Sequence, residues 1–179
     1  MIPDLLPGDI VFVRGNSWTS RLIRRFTRSA GEAPTVVNHV GIMVGSHDIV
    51  ESLNKTVKRP LNETVKGAQR GIIVRRRILS LVQRERVAEK ALLYVGKPYG
   101  WLKILAHGLD HLLFGDRFVV RRVLFLQNYP ICSWVVAYAY DGIGGFGVPP
   151  NEASPDDLWD FCMEGESAKL FEVVWSWGS

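Results

Sequence analysis

The sequence predicts an α+β domain in which an antiparallel sheet packs against helices. Three observations point there. Short β-branched and aromatic runs follow Pro-Gly or Gly-rich turns, as in Ile10-Val11-Phe12-Val13 after Leu6-Pro7-Gly8-Asp9. Two such runs are joined by a turn short enough to force an antiparallel hairpin. Helix-length amphipathic segments with their own start signals supply the second layer.

Taken in order, the Ile10 run is the first strand, broken by Gly15-Asn16-Ser17. Ser17 caps a helix over roughly Trp18 to Arg28, with Trp18, Leu22, Ile23 and Phe26 on one face and four arginines on the other. Asn38 to Gly45 is the second strand, and Ile49 to Leu53 returns after Ser46-His47-Asp48. A turn centred on Ser46-His47 pairs position 39 with a residue near 54 and Glu51 with a residue near 42. Asn54 to Arg70 reads as a long loop or a short strand, and Gly71 to Arg75 as a strand. Ser80 to Tyr94 reads as a helix with an imperfect apolar stripe of Leu81, Val82, Ala88, Leu92 and Val95. After the turn at Gly96 to Gly100, Trp101 to Phe114 is a second amphipathic helix. Phe118 to Leu126 fits strand or helix equally. An apolar helix opens at Cys132 and ends in the glycines from Gly142. Ser154-Pro155-Asp156-Asp157 starts another, with a serine cap, proline first and acid in the first turn. Leu170 to Trp175 is a closing strand. No repeat, linker or low-complexity tract divides the chain, so residues 1–179 form one domain.

Composition narrows the class. Apolar residues make up 47% of the chain and there are six tryptophans, which suits a folded core. The net charge of +4 is spread over both signs, without the clustered basic face that nucleic acid requires. Two cysteines, Cys132 and Cys162, make no disulfide framework, and no Cys/His spacing suits zinc. His107 and His111, with Asp110, have helical spacing for a metal, but equally for a solvated helix face. No metal and no cofactor is called for. The N-terminus lacks the pattern of a signal peptide, and no run has the length of a membrane helix. The expectation is a soluble protein in a reducing compartment, cytoplasmic by default.

Cys132 is where chemistry is expected. Asn128 to Pro130 stops one segment, and the cysteine then sits in the first turn of an apolar helix. Unpaired amides and the helix dipole favour negative charge there, and the thiolate is the reactive form of cysteine. The alternative is a small buried hydrophobe. A thiolate nucleophile needs an imidazole, and the imidazole needs an orienting group. His39 leads the second strand, and Glu51 lies on the returning strand about one diagonal away. The alternatives are a strand histidine satisfied in the core and a solvent-facing glutamate. His47, in the turn, points to water.

The ordered set Leu6-Pro7-Gly8-Asp9-Ile10-Val11-Phe12, Asn38-His39-Val40-Gly41-Ile42, Val50-Glu51-Ser52, Gly96-Lys97-Pro98-Tyr99 and Cys132-Ser133 resembles the circularly permuted branch of the NlpC-type papain-like hydrolases, the YiiX-like proteins. The histidine precedes the cysteine, as in that permuted branch, and the resemblance runs from about Pro7 to Tyr140. It implies a papain-like fold, with sheet or barrel against helices and the nucleophile at a helix N-terminus. It also implies Cys132 as nucleophile, His39 as general base, Glu51 as the residue orienting His39, and Tyr99 as a wall of the substrate cleft. The Cys132 backbone N–H would form part of the oxyanion hole. The family often carries an acid soon after Cys-Ser, whereas Trp134 and Val135 follow here. The tail from Gly142 matches no family motif.

The resemblance implies a thiol hydrolase that cleaves an amide through an acyl-enzyme, in relatives a cell-wall peptide or other γ-linked amide. The competing expectations are a lipid acyltransferase or thioesterase on the same scaffold, and a catalytically silent binding module. For the lipid reading, Trp101 to Leu126 offers a greasy wall or a membrane-docking face. The partner is accordingly a peptide or amide, lipid-linked in the second reading, and not a nucleic acid.

Overall fold

The structure, a computed structural model, describes residues 3–15, 36–98 and 131–178. The helices expected at Trp18 to Arg28 and Trp101 to Phe114, the segment Phe118 to Leu126, and Tyr99, His107, Asp110 and His111 lie outside the described residues.

The described elements are β1 (Ile10–Arg14), β2 (His39–Met43), β3 (Asp48–Ser52), β4 (Thr56–Pro60), α1 (Leu61–Gly67), β5 (Arg70–Arg76), α2 (Leu81–Leu92), α3 (Cys132–Tyr140), α4 (Pro155–Met163), a 3₁₀ turn (Ser167–Leu170) and β6 (Phe171–Trp177). The strands form one antiparallel sheet in the order β4-β3-β2-β1-β5-β6. The α+β, papain-like arrangement expected from the sequence is the one observed. Among the described residues, no helix is long and apolar enough to cross a membrane.

Strand alternation sends Ile10, Phe12, Val40, Ile42 and Val74 to one face, where they pack with Val87 of α2, Val135 and Val136 of α3 and Leu158 of α4. Val11, Val13, Met43, Ile49 and Ile73 face the other way, against Leu5 and Leu61. Ser80 and Ser154 each close a reciprocal capping box, with Gln83 and Asp157, as the start signals of α2 and α4 predict.

Three sequence expectations are corrected. The stretch Asn54 to Arg70 holds both an edge strand and a short helix. Pro60 ends β4, and an edge strand tolerates it because one row of its amides needs no partner in the ladder. The buried face of α2 is Arg84, Val87, Ala88 and Ala91, while Leu81 is 73% and Val82 59% exposed. The cause is Asp9, wholly buried and held bidentately by Arg75 at 2.9 and 2.7 Å. Arg84 adds a contact to Asp9 and donates to the carbonyl of Arg76 at 2.8 Å. A buried carboxylate must be paired, and that requirement sets the rotation of α2 ahead of its leucines. The third correction is the hairpin register. Val44 N–H bonds Asp48 O at 2.9 Å, so the loop is Gly45-Ser46-His47 and Glu51 stands opposite Gly41 rather than position 42. A slip of one residue changes the face a side chain occupies. The observed register puts Glu51 on the same face as His39.

Candidate active site

Cys132 is the first residue of α3, preceded by Ile131 in extended conformation with no side-chain cap. The first intrahelical bond runs from Val135 N–H to Ile131 O at 3.3 Å, so the amides of Cys132 and Ser133 precede the ladder. The turn signal at Pro130 and the apolar run behind Cys132 account for the helix starting here. Ser133 turns its hydroxyl away and donates to Ala153 O at 2.7 Å, fastening the start of α3 to the segment that leads into α4.

The sulfur is buried beside the ring of His39 and beside the backbone amides of Val40 and Ser133. Burial alone would push the thiol pKa up. The hydrogen bond from His39, its positive charge and the two amides outweigh burial and hold the thiol below its ordinary range. His39 shows the complementary shift. Burial lowers its pKa, but the bonds to Cys132 and Glu51 prevail and raise it to about 10.

Glu51 accepts from His39 Nε2 at 2.6 Å. With Nε2 on the carboxylate, the other ring nitrogen, Nδ1, is left for the sulfur. Glu51 has a side chain with 0% exposure, and Arg59 Nε and Thr64 Oγ1 donate to its second oxygen, the latter at 2.6 Å. Burial raises a carboxyl pKa, yet His39, Thr64 and Arg59 together lower this one to about 2. The chain thus brings a thiol, an imidazole and an ionised carboxylate into line, with a helix N-terminus under the thiol. Chemically, the arrangement holds a thiolate–imidazolium pair beside amides that can stabilise developing negative charge.

Cys132, His39 and Glu51, the three residues singled out in the sequence, are brought together. Tyr99 lies outside the described residues. His47 is exposed in the β2–β3 loop, and Cys162 is buried in α4, with no imidazole bond among the described residues. Sequence reasoning missed Arg59 and Thr64. A correct reading of β4 would have found Arg59, because Ile49 opposes Arg59 and Glu51 opposes Val57, which makes Arg59 a diagonal neighbour of Glu51. Thr64 required the helix α1.

Among the described residues, no group of three or more His, Cys, Asp or Glu is placed to hold a metal ion. A family model described as a permuted papain-like amidase, YaeF/YiiX, C92 family, matches residues 4–105. No curated protein sequence matches the chain. Among solved structures, the chain is similar to one described as the metalloprotein yiiX from Escherichia coli O157:H7 (DUF1105). The TM-score is 0.54 at 20% identity, over 79% of this chain and 67% of that one, a likeness of fold.

Proposed function

The chain belongs to the permuted papain-like amidase family, C92, and on that footing we propose that it is a thiol hydrolase cleaving an amide bond through an acyl-enzyme on Cys132. The observation that carries the proposal is His39 held between Cys132 and a fully buried, ionised Glu51.

In the proposed reaction the Cys132 thiolate attacks the amide carbonyl carbon. The oxyanion is met by first-turn amides of α3, that of Cys132 foremost. The C–N bond breaks as the His39 imidazolium gives its proton to the leaving nitrogen. Water then attacks the thioester, His39 takes a proton from it, and the carboxylic acid leaves as the thiolate re-forms. Glu51 keeps the imidazole oriented with Nε2 on its carboxylate throughout. The substrate class proposed is the cell-wall peptide or other γ-linked amide, which the NlpC-type resemblance of the sequence implies.

The test begins with the nucleophile. At pH 6 a short pulse of iodoacetamide labels Cys132 ahead of Cys162, whose thiol burial pushes well above its ordinary range. His39→Ala slows the labelling of Cys132 at that pH. With amide substrates, a thioester adduct on Cys132 is trapped by acid quench and read by mass spectrometry. Equal labelling of both cysteines would remove Cys132 as nucleophile. An adduct formed only from thioesters or lipid esters would replace amide cleavage with acyl transfer.

A further inference from the structure

Acylation of Cys132 changes the charges around His39. In the resting site the thiolate and the Glu51 carboxylate are two anions that share one imidazolium. Once the imidazolium has given its proton to the leaving nitrogen, the sulfur is a neutral thioester and the ring is neutral too. Glu51 is left as a carboxylate whose side chain has 0% exposure, and the cation on its Oε2 is gone. A buried charge must be paired, so the contacts on its other oxygen matter most at this stage.

Those contacts are Arg59 and Thr64. Arg59 Nε and Thr64 Oγ1 both donate to Oε1, while His39 takes Oε2. Burial pushes the Glu51 carboxyl up, and His39 does most to hold it down, ahead of Thr64 and Arg59. The strongest of these partners is therefore the one whose charge the reaction removes. With Oε1 filled, the carboxylate keeps Oε2 toward the ring. Thr64 lies on the buried side of α1 with Leu61, and Leu61 N–H bonds His47 O at 2.8 Å, which fastens α1 to the β2–β3 loop.

The other charges nearby leave this task to Arg59 among the described residues. α3 presents Cys132 to His39, and β4 presents Arg59 to Glu51. Lys58, the neighbour of Arg59, alternates to the opposite face and pairs with Asp48 at 3.0 Å. From α1, Thr64 is uncharged, and Glu63, 56% exposed, lies 3.9 Å from the Arg59 guanidinium. β1 sets Val13 opposite His39, and α2 packs Val87 and Ala91 into the cluster that holds Val40 and Ile42 of β2. Arg59 itself is 27% exposed, so solvent supports its charge while its Nε reaches the buried carboxylate.

We infer that Arg59, with Thr64, is a positioning residue for the deacylation half of the proposed reaction, holding Glu51 charged and on Nε2 while neutral His39 takes a proton from water at Nδ1. The inference rests on the hydrolase reading for the acyl-enzyme itself. Water attacks the thioester carbonyl, its proton passes to Nδ1, and the C–S bond breaks as the thiolate re-forms beside the imidazolium. A buried carboxylate with no cation of its own would draw a solvent proton back onto the ring, and an imidazolium cannot act as a base. Arg59 opposes this in two ways. Its charge disfavours a second positive charge at the ring, and its bond to Oε1 offsets the negative charge that would attract one.

His39 is titrated by NMR in the full chain carrying Cys132→Ala, which, like the acyl-enzyme, has no charge at position 132. Its resonance is the one lost on adding His39→Gln. Arg59→Gln, which keeps a donor but no charge, raises the His39 midpoint by about one pH unit, and Arg59→Lys leaves it near the parent's. Thr64→Val raises it by less, and decides in place of Arg59→Gln should that variant not fold. In the chain with Cys132 intact, p-nitrophenyl acetate is the acylating probe, and hydrolysis of the acetyl-enzyme is followed after the burst. Arg59→Gln moves the acid limb of that rate to higher pH by the same interval, so hydrolysis on the limb slows about tenfold. A merely structural role would lower the rate at every pH and leave the midpoint in place. A midpoint unmoved in either measurement, or raised as much by Arg59→Lys, would overturn the role of Arg59. The two readings fail separately. A parent that p-nitrophenyl acetate never acylates at Cys132 overturns the hydrolase, while the midpoint in the Cys132→Ala chain still reports on Arg59.

Discussion

Glu51→Gln probes the proposed site at its most deeply buried charge. The carboxylate receives His39 on one oxygen and both Arg59 and Thr64 on the other. Glutamine offers one oxygen and one NH₂. If the oxygen keeps Arg59 and Thr64, the NH₂ faces His39 Nε2 and demands an acceptor there. The ring must then surrender its Nε2 proton, and the imidazolium is lost. The structural cost follows from the same contacts. The carboxyl pKa is drawn from 4.5 to about 2 by the folded site, and at 1.36 kcal/mol per unit this is a stabilisation of about 3 kcal/mol that an amide forgoes. Urea unfolding at pH 7 should show a loss of that order. Reactivity should fall further. An ordinary thiol of pKa ~8.5 is only about 0.3% thiolate at pH 6, so iodoacetamide labelling of Cys132 slows by as much as about two orders of magnitude. Turnover falls by up to about 10⁴ where orientation of the imidazole is lost. A folded Glu51→Gln protein that labels at the parental rate at pH 6 would refute the role proposed for Glu51.

Two further perturbations act on the same contacts. Gly41 stands opposite Glu51, and a Cβ there would lie 2.6 Å from Ile49 Cδ1 and 3.1 Å from Val50 O; Gly41→Ala should cost about 1–3 kcal/mol by overpacking, read as a lower urea midpoint. Stability should fall in alkali. His39 is raised from 6.5 to about 10, so its contribution is full below 6.5 and is lost as pH climbs through about 10. Cys132 is lowered from 9.0, so its contribution is lost in acid and full above 9.0. Above 9.0 only the His39 loss remains, so the parent's advantage over a Cys132→Ala, His39→Gln double variant should fall between about pH 9 and 10, and an advantage that keeps rising there would contradict the ion pair.

What the sequence made legible was local. Strand periodicity located β1, β2, β3, β5 and β6, and the serine caps located α2 and α4, because each signal lies within a few residues of what it specifies. The start of α3 at Cys132 came from the Pro130 stop and the apolar run behind it. What stayed hidden depended on contacts far apart in the chain. Arg84 turns inward because Asp9, 75 residues earlier, is buried and needs it. The alternation of Lys58 and Arg59 at a sheet edge, ending in Pro60, resembles a loop until Glu51 is seen to draw on Arg59. The pairing of Arg14 with Arg70 exists only once β1 and β5 are known to be neighbours.

The capping of the helices separates support from proposed chemistry. α2 and α4 spend their first-turn amides on reciprocal boxes, Ser80 with Gln83 and Ser154 with Asp157. α3 has no side-chain cap, although Ser133 stands one residue into the helix with a hydroxyl committed elsewhere, to Ala153 O. An uncapped, buried helix start would ordinarily be a defect, since orphaned amides away from water cost free energy. Here the Cys132 sulfur takes the Ser133 amide, and the Val40 amide reaches the same sulfur from the strand. The thiolate therefore acts as the anionic cap of its own helix. In the proposed reaction that negative charge passes from sulfur to the carbonyl oxygen and back, beside a helix start that no other side chain caps. A serine or aspartate at position 131 would supply the missing cap and settle the helix, and would compete with the thiolate for the Ser133 amide.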